Sequence, residues 1–410
     1  MLALAPTALA LILAAASSQP APAPTAAPAP AAAPTTLPSS RAFSPSTSPT
    51  PAADRPLTRI ALGSCARERE AQPIWTEIVQ SKPELFLFIG DNHYADFWEK
   101  NGKMGMYPVE TIDRIHEAYD MLAMQPGYQA ILKQCRVLAT WDDHDFGAND
   151  AGREYPLREP SKQAFFNFYG VPTDSPLRQQ PGIYSAHTFG PAGQRVQIIL
   201  LDTRFDRDKL ERATPEARGK RRGPYAATTD TSKQLLSQQQ WSWLEQQLRQ
   251  PADIRIIASS IQVVADEHGF ETWGNFPHER QRLYNLIDST NASGVFFLSG
   301  DRHLTEISAD RGRTQPGTSA GTTLPVPYTM WDFTSSGINL KTAEVTDINT
   351  FRVGPARRQT TYGLIDITWG PTPEQTRIDL SAMGESKQLL TRQTLFLADL
   401  RKQPAATAKP

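Results

Sequence analysis

The sequence predicts an α/β fold in which two mixed sheets lie face to face between layers of helices, a four-layer αββα sandwich. Three observations carry that reading. From Thr58 onward, short apolar runs alternate with longer mixed segments. Six of those runs end in polar, chemically capable residues. After Trp331 the pattern turns towards alternating strands.

The six runs are Ile60–Leu62 before Gly-Ser-Cys, Leu85–Ile89 before Gly-Asp, Val137–Ala139 before Trp-Asp-Asp-His, Val196–Leu201 before Asp-Thr-Arg, Ile254–Ala258 before Ser-Ser, and Val295–Leu298 before Ser-Gly-Asp-Arg-His. Strands apolar on both faces need cover on both, which predicts flanking helices. Candidates are Pro73–Ser81, with Ile74 and Ile78 one turn apart, Val109–Met124, Gln238–Gln250 and Glu279–Asp288. Strand ends in such sheets gather ligand-binding residues at one edge. The later strands, Leu364–Trp369, Arg377–Leu380 and Leu389–Phe396, are read as a second sheet packed on the first. The stretch 206–233 has few apolar residues and reads as a surface insertion.

Composition sets the domain boundaries. Residues 1–56 hold 12 of the 34 prolines and only three charged side chains, Arg41, Asp54 and Arg55, so they cannot build a packed core. Ala8–Ala16 is an apolar block followed by small residues, and it is shorter than the roughly 20 residues that span a bilayer. The expectation is a signal peptide over 1–19, a Pro/Ala linker over 20–56, one folded domain over 57–396 and a flexible tail over 397–410. A periplasmic or secreted location without a transmembrane anchor follows. A net charge of −1 argues against coating a polyanion, so no stable nucleic-acid partner is expected. The chain is also expected to be a monomer. The basic run Lys220, Arg221 and Arg222 is read as a solvated loop.

The chemistry-bearing residues are mostly acids. Of the 7 histidines, His144 and His303 lie in strand-end motifs and His93 lies inside GDNHY, while His116, His187, His268 and His278 are scattered. Asp91, Asp142, Asp143, Asp145, Asp150, Asp202 and Asp301 cluster instead after the strands. Carboxylates gathered in a low-dielectric cleft repel one another unless a cation neutralises them. Cys65 and Cys135 are not expected to form a disulfide, because one follows its strand and the other precedes the next, ~17 Å apart on parallel neighbours.

The motifs GSC, GDNHY, WDDHD, LDTR, ETWGNFPHER and SGDRH occur in the order seen in PhoD-like alkaline phosphatases and phosphodiesterases. The chain resembles that family from about Ile60 to Asn339. The resemblance implies a metallophosphatase-like sandwich holding a trivalent iron, Fe3+, next to calcium, Ca2+. Carried over by motif, Cys65, Asp91, Tyr94 and Asp301 are the iron ligands, with Asp91 bridging to the second metal. Asp142 or Asp143 serves the divalent ion, position favouring Asp143, with Asn149 nearby. The donor chemistry agrees, since thiolate with phenolate suits iron and carboxylate or amide oxygen suits calcium or magnesium. Zinc (Zn2+), manganese (Mn2+) or magnesium (Mg2+) are alternatives in one site.

The reaction expected is hydrolysis of a phosphate ester by a hydroxide held between the metals, attacking phosphorus in line. His144 and His303 are placed to hydrogen-bond the leaving or a phosphoryl oxygen, and Arg204 is expected to grip the phosphate. Larger family members carry a β-domain before the catalytic core, where this chain has its linker. Two other readings stand beside this one. The first is a related enzyme for phospholipid head groups, polymers or nucleotides, and the second is a non-catalytic, calcium-stabilised envelope binding protein.

Overall fold

The computed structural model describes residues 48–219, 221–312, 325–342, 345 and 347–402. The expected signal peptide, most of the linker and the end of the tail lie outside the described residues. All described residues belong to the unit Ser40–Pro410.

Every backbone amide and carbonyl buried in a core needs a partner, and two six-stranded sheets supply most of them. In the first sheet the strand order is Leu389–Phe396, Arg377–Gly384, Thr361–Thr368, Arg59–Gly63, Leu85–Ile89 and Arg136–Thr140. The last three run parallel, and the others pair antiparallel. In the second sheet the order is Thr305–Asp310, Met330–Ser335, Val295–Ser299, Ile254–Ala258, Val196–Leu200 and Ser185–Phe189. Its four central strands are parallel, and both outer strands are antiparallel.

The expectation that the late strands form a sheet of their own is corrected. Thr361–Thr368 pairs with Arg59–Gly63, so these strands extend the first sheet, and the six apolar runs divide three and three between the sheets. The free edge of Arg59–Gly63 would otherwise expose unpaired backbone groups.

Alternation along the strands builds the layers. Ile60, Leu62, Leu85, Leu87 and Ile89 share a core with the second sheet, whose far side packs Trp241, Leu244, Leu248, Leu283 and Ile287 from the helices Gln238–Leu248 and Pro277–Ser289. Ala61, Phe86, Phe88 and Val137 point the other way, into the helices Ile74–Gln80, Asp113–Met124, Pro126–Gln134 and Arg158–Phe168. The result is helix, sheet, sheet, helix. The helices Pro126–Gln134 and Arg158–Phe168 add cover that the sequence reading leaves out. So do the strands Thr305–Asp310 and Met330–Ser335, which are wholly buried yet carry Asp, Glu, Ser and Thr. Buried Asp332 is accommodated because it accepts from the amides of Val263 (2.8 Å) and Val264 (3.1 Å) and from Ser299 Oγ (2.7 Å).

In the segment expected as a tail, Leu397 and Leu400 are buried, and the Leu400 carbonyl accepts from the Gly294 amide at 2.6 Å. Cys65 and Cys135 are both free and buried, so the cysteines are not bridged.

Trp75 anchors the helical cover of the first sheet, with its ring centroid 5.1 Å from Phe86, 6.0 Å from Phe88 and 5.8 Å from Tyr128. Trp75→Ala is expected to lower stability by about 3–5 kcal/mol, read as a fall in the urea midpoint without a change of slope.

Candidate metal centre

Where a buried strand ends, its last polar residues turn out over one edge. Here several of those turns adopt the left-handed backbone region. Cys65 (φ 61°), Asp91 (51°), Asp150 (55°), Ser260 (46°), Asp301 (63°) and His303 (53°) all do so without being glycine. Such positions cost on the order of 1–3 kcal/mol each, and they persist where surrounding structure fixes them. Two glycines permit the crowding. A Cβ on Gly90 (φ 101°) would stand 2.7 Å from Asp142 Cβ, and one on Gly300 would stand 2.5 Å from Ser64 Oγ on the facing sheet.

These turns bring Cys65, Asp91 and Tyr94 into one polar knot. Cys65 Sγ donates to Asp91 Oδ2 at 3.2 Å, and the Tyr94 hydroxyl donates to the same oxygen at 2.8 Å. Tyr94 Oη also lies 3.1 Å from His303 Nε2, and its ring stacks on His144 at 4.1 Å. His144 Nδ1 is held by Asp96 at 2.9 Å, which turns Nε2 away from that partner.

Among the described residues, donor atoms within 4.8 Å of one another fall into four overlapping groups. They are Cys65, Asp91 and His303; Asp91, Asp143 and His144; Asp142, Asp143 and Asp301; and Asp143, Asp150 and Glu271. Asp91 and Asp143 link these groups into one continuous run across both sheets.

Titration directions show what this density of acid costs. Burial pushes the Cys65 thiol up to about 11. Burial, reinforced by Cys65, lifts Asp91 well above the carboxylate range, and burial with Asp91 lifts the Tyr94 phenol. Asp142 rises to about 7 because burial outweighs Arg204, and Asp301 rises to about 6 because burial outweighs Arg302. Burial alone would raise Asp143 and lower His144, but the two stabilise each other's charges, so Asp143 falls and His144 rises. His303 is lowered to about 3 by burial and by the His144 charge.

A cation reverses this balance, because it favours the charged form of every donor it touches. The residues present fit one. Asp142 Oδ2, Asp143 Oδ1 and Asp301 Oδ2 are buried and accept no hydrogen bond among the described residues, so three carboxylate oxygens are left for a ligand. The thiol and phenol beside them form the softer end of the run, and the carboxylates form the harder end.

Two expected roles change. Arg204 cannot reach a phosphate, because its side chain is 0% exposed and its guanidinium is spent on carboxylates. Nε donates to Asp142 Oδ1 at 2.7 Å, Nη1 meets Glu271 at 2.5 Å, and Nη2 also bonds Asp142. Asn149 is exposed, whereas its neighbour Asp150 lies in the cluster with Asp143 and Glu271. Glu271 opens the ETWGNFPHER stretch, so its motif was visible although its role was not. Asp145 and Asp202 hold turns instead. Asp145 accepts from the amides of Asp142 (2.6 Å) and Asn92 (3.2 Å), and Asp202 accepts from Trp141 Nε1 (2.9 Å) and the Ile183 amide (2.9 Å).

A two-sheet sandwich that gathers a thiol, a phenol and carboxylates at one edge is a metallophosphatase-type fold with a metal-binding edge. The chain belongs to the PhoD-like phosphatase family, whose sequence profile matches residues 60–361. It is 24% identical over 284 residues to alkaline phosphatase D of Bacillus subtilis (strain 168), a match covering 63% of this chain and 48% of that protein. The chain therefore spans about half the length of this curated relative. Among solved structures, PhoD superposes with a TM-score of 0.61 at 19% identity, covering 88% of this chain and 74% of that one. A purple acid phosphatase from yellow lupin (Lupinus luteus) seeds gives 0.54 at 15% identity, covering 88% and 59%. These two likenesses concern the fold.

Arg204→Ala strands Asp142 as a buried charge and leaves Glu271 with Arg207 alone, and a loss of about 3–5 kcal/mol in denaturant unfolding is expected. An unchanged midpoint with a raised KM would instead restore the phosphate-gripping role. After chelation, stability should fall as the pH rises from about 4 to about 7. Asp142 and Asp150 are raised to about 7 and Asp301 to about 6, so the folded state holds protons that the unfolded chain has already released. Urea midpoints measured with and without saturating metal check this, and bound cation should flatten the slope.

Proposed function

We propose that this chain is an exported, metal-dependent phosphoesterase acting on phosphate monoesters, diesters or both. The observation that carries the reading is the convergence of Cys65 and Tyr94 on one carboxylate, Asp91, which also adjoins Asp143. By motif Cys65, Asp91, Tyr94 and Asp301 would hold ferric iron, although the donors of Asp301 group with Asp142 and Asp143 rather than with Cys65, and Asp142, Asp143 and Asp150 would serve a harder divalent ion such as calcium. Zinc, manganese or magnesium could replace one of them. When bound, the metals supply Lewis-acid polarisation of the phosphoryl group and activation of water.

The chain's own residues then orient and move protons. Asp143 and Asp96 favour the charged form of His144, and with Nδ1 committed to Asp96 its Nε2 is the nitrogen placed to meet the leaving oxygen. His303, kept neutral, fixes the Tyr94 oxygen through Nε2. Arg204 and Arg207 hold Glu271 between them, at 2.5 and 2.8 Å, which balances charge beneath the carboxylates. Export rests on the leader composition, and among the described residues no helix is long and apolar enough to cross a membrane.

Elemental analysis of the purified protein, with assays on one nitrophenyl monoester and one diester, tests the proposal. Cys65→Ala and Asp91→Asn are each expected to abolish turnover, and Tyr94→Phe to remove any visible charge-transfer band. Cys135→Ala should leave turnover largely intact. Full activity in the Asp91 variant refutes the assignment.

A further inference from the structure

The insertion at 206–233 is tied to the metal edge by both of its arms. Glu211–Arg212 pairs with Tyr225–Ala226 across the short helix Pro215–Arg218. The returning arm is pinned by the Gly223 amide to the His268 carbonyl (2.9 Å) and the Tyr225 amide to the Gly269 carbonyl (2.8 Å). At its root the Tyr225 hydroxyl donates to Asp150 Oδ2 at 2.6 Å, inside the candidate site.

Between this hairpin and residue 270 lies a cavity of about 630 Å³, walled by Pro215, Arg218, Arg221, Arg222 and Phe270 with no carboxylate in its lining. Arg218 and Arg221 are braced on their own turn: Arg218 Nε donates to the Arg221 carbonyl (3.2 Å) and its Nη2 to the Arg222 carbonyl, while Arg221 Nε donates to the Arg218 carbonyl (3.4 Å) and its Nη2 to the Ala217 carbonyl. Among the described residues neither forms an ion pair. Their charge is thus held in place and left uncompensated, in a chain whose net charge is only −1.

A chain of contacts runs from this cavity to the metal edge. Arg222 lies 4.0 Å from Asp347, Arg302 Nη2 donates to Asp347 at 2.9 Å, and Arg302 Nη1 lies 3.6 Å from Asp301. The Arg302 guanidinium also sits 4.0 Å over the Phe270 ring, whose residue lines the cavity.

We propose that this cavity is a subsite for a second oxyanion group, of phosphate type, on the substrate whose scissile ester lies at the metal edge. The proposal rests on the phosphoesterase reading. The turn occupies Nε and Nη2 of Arg218 and Arg221, so the Nη1 side of each guanidinium is what meets the oxyanion as a charge-assisted donor, and Phe270 offers an apolar wall to the carbon chain between the two anions. Substrates with a single phosphate would miss this contact, so the basic loop selects for a second charge at a set distance.

The test uses metal-loaded protein and nitrophenyl phosphodiesters whose alkyl arm ends in a sulfonate, a charge that cannot be hydrolysed, or in a hydroxyl. At one arm length the sulfonate ester is expected to show a KM lower by about tenfold, with kcat alike. Arg218→Ser with Arg221→Ser should erase that preference and leave the hydroxyl-ended ester unchanged, while the paired Lys variants keep part of it. Equal KM values at every arm length, or a preference that survives in the double Ser variant, overturn the subsite. If no ester is hydrolysed, the phosphoesterase reading fails on its own. The subsite is then decided by calorimetry with an alkanediol bisphosphate, whose binding must weaken in the double Ser variant for the proposal to stand.

Discussion

Buried negative charge at one sheet edge is the constraint on which the rest of the structure depends. Asp91, Asp142 and Asp143 are buried there with a thiol and a phenol, and the half-buried Asp150 adjoins them. Desolvated carboxylates cannot all ionise side by side. The protein answers part of the charge itself. Arg204 and Arg207 lie fully buried against Glu271 and Asp142, and Asp96 holds the His144 imidazolium. Asp142 Oδ2, Asp143 Oδ1 and Asp301 Oδ2 still accept no hydrogen bond among the described residues, which is the room a cation would fill.

Much of the scaffold was legible because parallel strands buried on both faces leave an unmistakable apolar run. Leu85–Ile89 and Ile254–Ala258 are found at the expected bounds. Their partners were less legible. Thr305–Asp310 and Met330–Ser335 are just as buried, but their polar side chains are satisfied internally, so no apolar run marks them. Sheet membership was invisible for another reason. Which edge Thr361–Thr368 joins is decided by the unpaired side of Arg59–Gly63, a long-range choice that no local pattern records.

The candidate site divides in the same way. Cys65, Asp91, Tyr94, Asp142, Asp143 and Asp301 follow strands, and position after a strand predicted their edge. Arg204 also follows a strand, yet its fate was decided by Glu271, which comes from a loop 67 positions later. A guanidinium next to an unforeseen carboxylate becomes a counter-ion and is lost to the substrate. Asn149 and Asp150 show how fine the margin is. The left-handed turn at Asp150 directs that residue inward and leaves its neighbour in solvent.

The seam between the sheets, where the missing side chain of Gly300 lets its turn press on Ser64, has an evolutionary consequence. Cys65 and Asp91 follow strands of one sheet and Asp301 a strand of the other, so neither half carries all of the candidate donors. Recombination that exchanged one sheet for a relative's would have to preserve the contact at this junction to within the width of a methyl group. A change in a peripheral loop meets no such demand, whereas a change at this junction must be matched on both sheets at once.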